Sequence, residues 1–147
     1  MARVSTYLNF MGNTEEAFAF YGSVFDTKPT NGFMRIGDMP SDPDGPTFSD
    51  AEKNMVMHVE LPILAGHCLM ATDMIESMGH ELRVGNNVTI NLEPDTRAET
   101  DRLYAAPSEG GSEGSGMSEM FWGAYWGSCL DRFGVRWMFN CYEPRAE

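Results

Sequence analysis

YLNFMGNTEEAFAFYGSVF, residues 7–25, reads as a strand, a turn and an amphipathic helix. Asn13 can cap the helix with its side-chain oxygen while Glu16, three residues on, reaches back, so the helix is expected to begin at Thr14. Ala17, Phe18, Tyr21, Val24 and Phe25 then recur at three- and four-residue spacing, a stripe that must cover a sheet or another helix. Residues 88–106 are a fainter copy. Asn91 falls opposite Asn9, Asp95 takes the capping place of Asn13, and Thr96 repeats Thr14. The pattern predicts a pseudo-symmetric α+β domain over 1–147, with one module at about 1–78 and the second at about 79–147.

Between these anchors the chain alternates short strands and loops. After the turn at 28–32, residues 33–36 read as a strand, and residues 37–54, with Pro40, Pro43, Pro46, Gly45 and five acids, read as loop. Residues 55–61 alternate, with Met55, Met57, Val59 and Leu61 on one face and Val56, His58 and Glu60 on the other. Residues 67–72 return as a further strand. In the second half come a strand at 88–92, a helix to about Ala106 with Ala98, Leu103 and Tyr104 as its apolar side, and a closing strand at 134–142. The Gly/Ser/Glu segment 107–118 is glycine-rich enough to be mobile, as a lid or as a plain surface excursion.

Composition narrows the function classes. Among 147 residues, 42% are hydrophobic, so the chain folds around a core. Lys and Arg number 10 against 22 Asp and Glu, a net charge of -12 that repels phosphate backbones and anionic lipid and argues against nucleic acid or membrane as partner. Cys68, Cys129 and Cys141 form no CxxC pair, which fits reduced thiols. The start, MARVSTYLNF, lacks a signal-like apolar core, and no run is long enough to span a bilayer, so the expected location is cytoplasmic.

No P-loop, strand-linked GxGxxG, GxSxG elbow or reactive-cysteine signature is present. Asp42-Pro43-Asp44-Gly45 lacks the alternating oxygen ligands of a calcium loop and reads as a solvated acidic turn. The polar pair with most chemical potential is His58 and Glu60. If their face lines a cavity, His58 can serve as base or ligand and Glu60 as its orienting partner or second ligand; the competing reading is a hydrogen-bonded structural histidine. Asn9 and Asn91 present amides to one cleft or satisfy neighbouring backbone. Trp122, Tyr125, Trp126 and Trp137 supply a ligand wall, a core or a subunit interface.

The order strand, helix, three strands written twice, together with YLNF, GN, EEAFAFY, SVF, MHVEL, FWGAYWG and DRFGVRWMFN, resembles the PhnB-like branch of the glyoxalase/bleomycin-resistance/dioxygenase, or vicinal oxygen chelate, superfamily. The resemblance implies two βαβββ modules whose mixed sheets curl around a cleft, a small-molecule ligand and a homodimer. It also implies a divalent metal held on the first and last strands of each module. Carried onto this chain, the ligand positions fall at about Thr6, Leu69 or Met70, Val88, and Trp137 or Met138; apolar side chains there cannot hold a hard metal. The expectation is a small-molecule binder with no metal at the usual site and ligand contacts at Asn9, Asn91, Trp122 and Trp137; the alternatives are a metal-dependent lyase, isomerase or dioxygenase with a displaced divalent metal, for which Asn9, His58 and Glu60 are available, and a drug-sequestering resistance protein. Relatives also carry a methyltransferase label, for which this chain shows no glycine-rich S-adenosylmethionine loop and no parallel α/β alternation.

Overall fold

The computed structural model describes residues 1–147. It forms two compact units, Met1–Arg83 and Val84–Glu147. In the first, β1 (Thr6–Phe10) leads into α1 (Thr14–Phe25), followed by β2 (Met34–Arg35), the one-turn α2 (Asp50–Lys53), β3 (Val56–Pro62) and β4 (Cys68–Asp73). The second has β5 (Ile90–Leu92), α3 (Arg97–Ser108), β6 (Ser118–Glu119), β7 (Tyr125–Leu130) and β8 (Arg136–Cys141). The strand orders are β1-β4-β3-β2 and β5-β8-β7-β6. In each sheet the first strand runs parallel to the last, Leu8 opposite Ala71 in one and Asn91 opposite Met138 in the other, and the remaining pairs are antiparallel. The expected α+β fold, βαβββ written twice, is therefore what the chain adopts.

Each sheet buries one face under its helix. In α1 the predicted stripe is inside, with Ala17, Phe18, Tyr21 and Val24 buried and Phe25 half-buried. Phe18 meets Phe10 of β1 edge-on at 6.4 Å between ring centres, and Gly22 leaves room for the Thr27 carbonyl, which would stand 2.9 Å from an added Cβ. Val59, Leu61, Leu69 and Ala71 complete this layer, each at most 1% exposed; burying a valine or leucine side chain contributes about 1.5–3 kcal/mol. Strand alternation then turns His58 and Glu60 to the opposite, open face. In the second unit Leu92, Leu103, Cys129, Trp137 and Phe139 form the corresponding layer, and Tyr104 of α3 meets Phe139 edge-on at 5.4 Å.

The helix starts differ from their expected caps. Helix α1 does begin at Thr14, but Asn13 makes no side-chain bond to it, because its backbone (φ -119°, ψ 22°) is not in the extended conformation of a capping residue. The carboxylate of Asp73 at the end of β4 takes that role: Oδ1 accepts from the Thr14 N–H at 3.0 Å and Oδ2 from the Val56 N–H at 2.8 Å. In the second unit the cap is Thr96, one residue after the expected Asp95; its Oγ1 accepts from the Glu99 N–H at 3.1 Å. Glu143, just past β8, accepts from the Arg97 N–H at 2.6 Å. Both units thus place a carboxylate from the end of their last strand, or two residues past it, on the first N–H of their helix.

Two loop expectations are corrected. Within 37–54, α2 forms because Ser49 and Glu52 make a reciprocal capping box. The segment 107–118 is pinned, not free. Its first residues extend α3 to Ser108. Ser112 exchanges backbone bonds with Leu130 at 2.8 and 2.9 Å, the Ser115 N–H donates to Ser128 O at 3.1 Å, and the Gly116 N–H donates to the Tyr104 hydroxyl at 3.0 Å. Glu113 pairs with Arg136 at 2.5 Å.

Candidate functional site

The open face of the first sheet gathers polar groups because three strands bring them into rows. Tyr7 of β1 lies opposite Met70 of β4, which lies opposite Glu60 of β3; Asn9 lies opposite Thr72. From this array the Tyr7 hydroxyl reaches His58 Nδ1 at 3.2 Å, and the two rings stack with centres 5.8 Å apart at 30°. Burial pushes the Tyr7 phenol above its ordinary pKa, so it keeps its proton. Nδ1 accepts from the phenol or donates to it according to the ring's tautomer.

Glu60 is held from the chain's beginning. Arg3 donates through both terminal nitrogens, Nη1 to Oε1 at 2.9 Å and Nη2 to Oε2 at 3.0 Å. This hydrogen-bonded guanidinium holds the Glu60 carboxyl below the usual carboxylate range. Cys68 shares the neighbourhood, and burial, then the Glu60 carboxylate, push its thiol up, so it is not an activated nucleophile. His58 and Glu60 also line a cavity of about 110 Å³ with Thr30, Asn31, Gly32 and Met34. The hollow is small: a few water molecules or one polar head group fill it. Two larger grooves, about 660 Å³ beside Met55 and Ile75 and about 600 Å³ under the loop from Met39 to Phe48, contain none of the residues expected from the sequence.

His58, Glu60 and Asn9 thus share one face. Asn91 is exposed on β5 and donates to Glu93 Oε1 at 3.1 Å. Trp122 stands in the β6–β7 turn, 46% exposed, edge-on to Phe121. Trp137 is a core residue, 1% exposed, its indole N–H donating to Asp131 Oδ2 at 2.8 Å, so it offers no surface to a ligand. The aromatic run is not one wall: strand alternation puts Tyr125 on the α3 side, where it bonds Asp101, and Trp126 on the other face opposite Asn140. Tyr7 and Arg3 were not singled out in the sequence. Tyr7 was findable, since it alternates with Asn9 on β1; Arg3 precedes the strand and carries no periodic signal.

The implied metal positions do not fit a hard cation. Thr6 Oγ1 is engaged with His67 Nε2 at 2.9 Å, Leu69 is fully buried in the core, and the Met70 sulfur accepts from Ser5 Oγ at 3.6 Å. Val88 is 70% exposed and the Trp137 nitrogen is a donor. No three His, Cys, Asp or Glu side chains converge to hold a metal elsewhere, and no helix is long and apolar enough to cross a membrane.

The model of a family described as 3-demethylubiquinone-9 3-methyltransferase matches residues 2–139. Protein PA1353 from Pseudomonas aeruginosa is 33% identical, with 96% of this chain and 98% of that one covered and a TM-score of 0.79. A putative 3-demethylubiquinone-9 3-methyltransferase, PhnB protein, from Bacillus cereus is 22% identical over 95% and 99% of the two chains, with a TM-score of 0.72. A glyoxalase/bleomycin resistance protein/dioxygenase family enzyme from Burkholderia phytofirmans shares the fold at 18% identity, covering 94% and 98%, with a TM-score of 0.60.

Proposed function

This chain belongs to the family described as 3-demethylubiquinone-9 3-methyltransferase, the PhnB-like branch of the glyoxalase/bleomycin-resistance/dioxygenase superfamily, and from that membership we propose that it binds a small organic molecule on the open face of its first sheet, without a metal at the superfamily's usual positions. The observation that carries the reading is the convergence of His58, Tyr7, Glu60 and Arg3 on one face beside a 110 Å³ cavity. Apolar rings and a few oriented polar groups are the usual makeup of a small-molecule site. In it His58 offers a ring nitrogen, Glu60 accepts, and Asn9 lies on the same face of β1.

The methyltransferase description is not what this site supports. A nucleotide-type cofactor needs a phosphate or ribose cradle, and the β1–α1 turn, Met11-Gly12-Asn13, is too short and holds a single glycine. A metal-dependent lyase, isomerase or dioxygenase is the rival reading, with His58 and Glu60 as displaced ligands. Amide chemical shifts of the protein against a fragment set separate the cases. Binding is expected to perturb residues 7, 9, 58 and 60 in chelator-treated protein; perturbation there that requires added Mn²⁺ or Zn²⁺ would instead select the metal enzyme, and no perturbation there would end the assignment. We also propose a homodimer, supported by Phe121 and Trp122, which stand 98% and 46% exposed at one turn.

A further inference from the structure

The carboxylate of Glu60 is the acid that both borders the cavity and already carries a cation. Arg3 seats its planar fork on both oxygens, the arrangement that any guanidinium would take there. The seat is complete, yet its occupant is weakly tied. Residues 1–5 precede β1 and join no strand, Met1 and Val4 are exposed, and the Arg3 side chain is itself 56% exposed against 21% for Glu60. Besides the ion pair, the side-chain tie of this arm to the face is the long Ser5 Oγ to Met70 Sδ contact at 3.6 Å. An exposed pair contributes little to stability, because two long side chains must be ordered to hold it.

A soluble cation that replaces Arg3 keeps both charge-assisted bonds at Glu60 and releases the arm. The protein's charge of -12 draws cations toward it, and the stacked rings of Tyr7 and His58 stand on the same sheet face as the seat. We propose that Glu60 is a cation subsite, taking the guanidinium or primary ammonium group of the ligand, and that Arg3 is a built-in occupant that competes for it. This inference rests on the reading that the open face binds a small molecule. It makes Arg3 a determinant of specificity: while it is seated, Glu60 shows the cavity little net charge, and a cation must first displace it.

Methylguanidinium chloride, titrated at ionic strength held constant with NaCl and followed by amide shifts at residues 7, 58 and 60, tests the proposal. Wild-type protein is expected to bind it weakly, and Arg3→Gln to bind it about two- to fivefold more tightly, the size of effect an exposed ion pair exerts. Arg3→Lys, which keeps the charge but loses the fork, should fall between. Glu60→Gln should abolish the shifts while retaining the dispersed spectrum of a folded protein. Equal binding by wild type and Arg3→Gln, or undiminished binding by Glu60→Gln, overturns the proposal. If acetate or ethylene glycol shifts these amides and methylguanidinium does not, the cation subsite falls while the small-molecule reading stands. If no fragment shifts them, both fall.

Discussion

Asp73 ties three elements with one side chain. It is 5% exposed, and its two oxygens accept the first N–H of α1 and the first N–H of β3. Replacing it by Ala strands two backbone donors where water cannot easily reach them, so Asp73→Ala is expected to cost about 2–5 kcal/mol. Urea unfolding should show the loss as a lower midpoint with little change in slope. A second residue-scale expectation concerns Tyr125, whose phenol is pushed up to about 12, first by its hydrogen bond to Asp101 and then by burial. Because the folded state holds this proton more tightly than an unfolded tyrosine near 10.0, the stabilisation is complete below pH 10 and disappears as pH rises toward about 12. In a tyrosinate absorbance titration, Tyr125→Phe should remove a component titrating near about 12, and Asp101→Asn should shift it back toward 10. A component unmoved by Asp101→Asn would rule out that carboxylate as the cause.

At the scale of elements, what could be read from the sequence depended on how local the determining signal was. Helix α1 and strand β3 carry their signals in their own side chains, as apolar stripe and alternation, so the buried face of α1 and the shared face of His58 and Glu60 were legible; the start at Thr14 was reached through an Asn13 cap that does not form. Caps supplied from elsewhere were not: Asp73 and Glu143 lie 59 and 46 residues from the N–H groups they accept. The capping box Ser49-x-x-Glu52 was a local signal, overridden by the density of Pro and Asp before it. For the site, Arg3 was invisible for the same reason as Asp73, since its partner is 57 residues away. Composition misled most at 107–118, where glycine suggested mobility while the fixed ends lie on β7, β8 and α3. Hydrogen exchange decides this: the amides of Ser112, Ser115 and Gly116 should exchange slowly, as hydrogen-bonded groups do, and that of Gly114 quickly. Uniformly fast exchange across the segment would restore the mobile loop.

For the molecule as a whole, the repeated βαβββ order was legible because each module writes the same sequence of periodicities, yet the modules use that frame differently. The first carries an open face with an ionised pair and a histidine; the second turns Trp137 and Tyr125 inward and leaves its aromatic surplus at the turn between β6 and β7. Phe121 there is 98% exposed and meets Trp122 edge-on at 5.2 Å, so two large rings stand against water in a chain whose net charge of -12 otherwise favours solvation. Covering them with a second copy would remove apolar area at both turns or against a neighbouring face, while like charge on the two copies opposes approach. The two terms respond differently to salt: screening weakens the repulsion and leaves apolar burial intact. Self-association is therefore expected to strengthen between about 0.05 and 0.5 M NaCl, and Trp122→Ala should weaken it at every salt concentration without lowering unfolding stability at protein concentrations where the wild type is monomeric. Light scattering across a dilution series reads both effects, and a monomer mass at micromolar concentration in high salt would defeat the dimer.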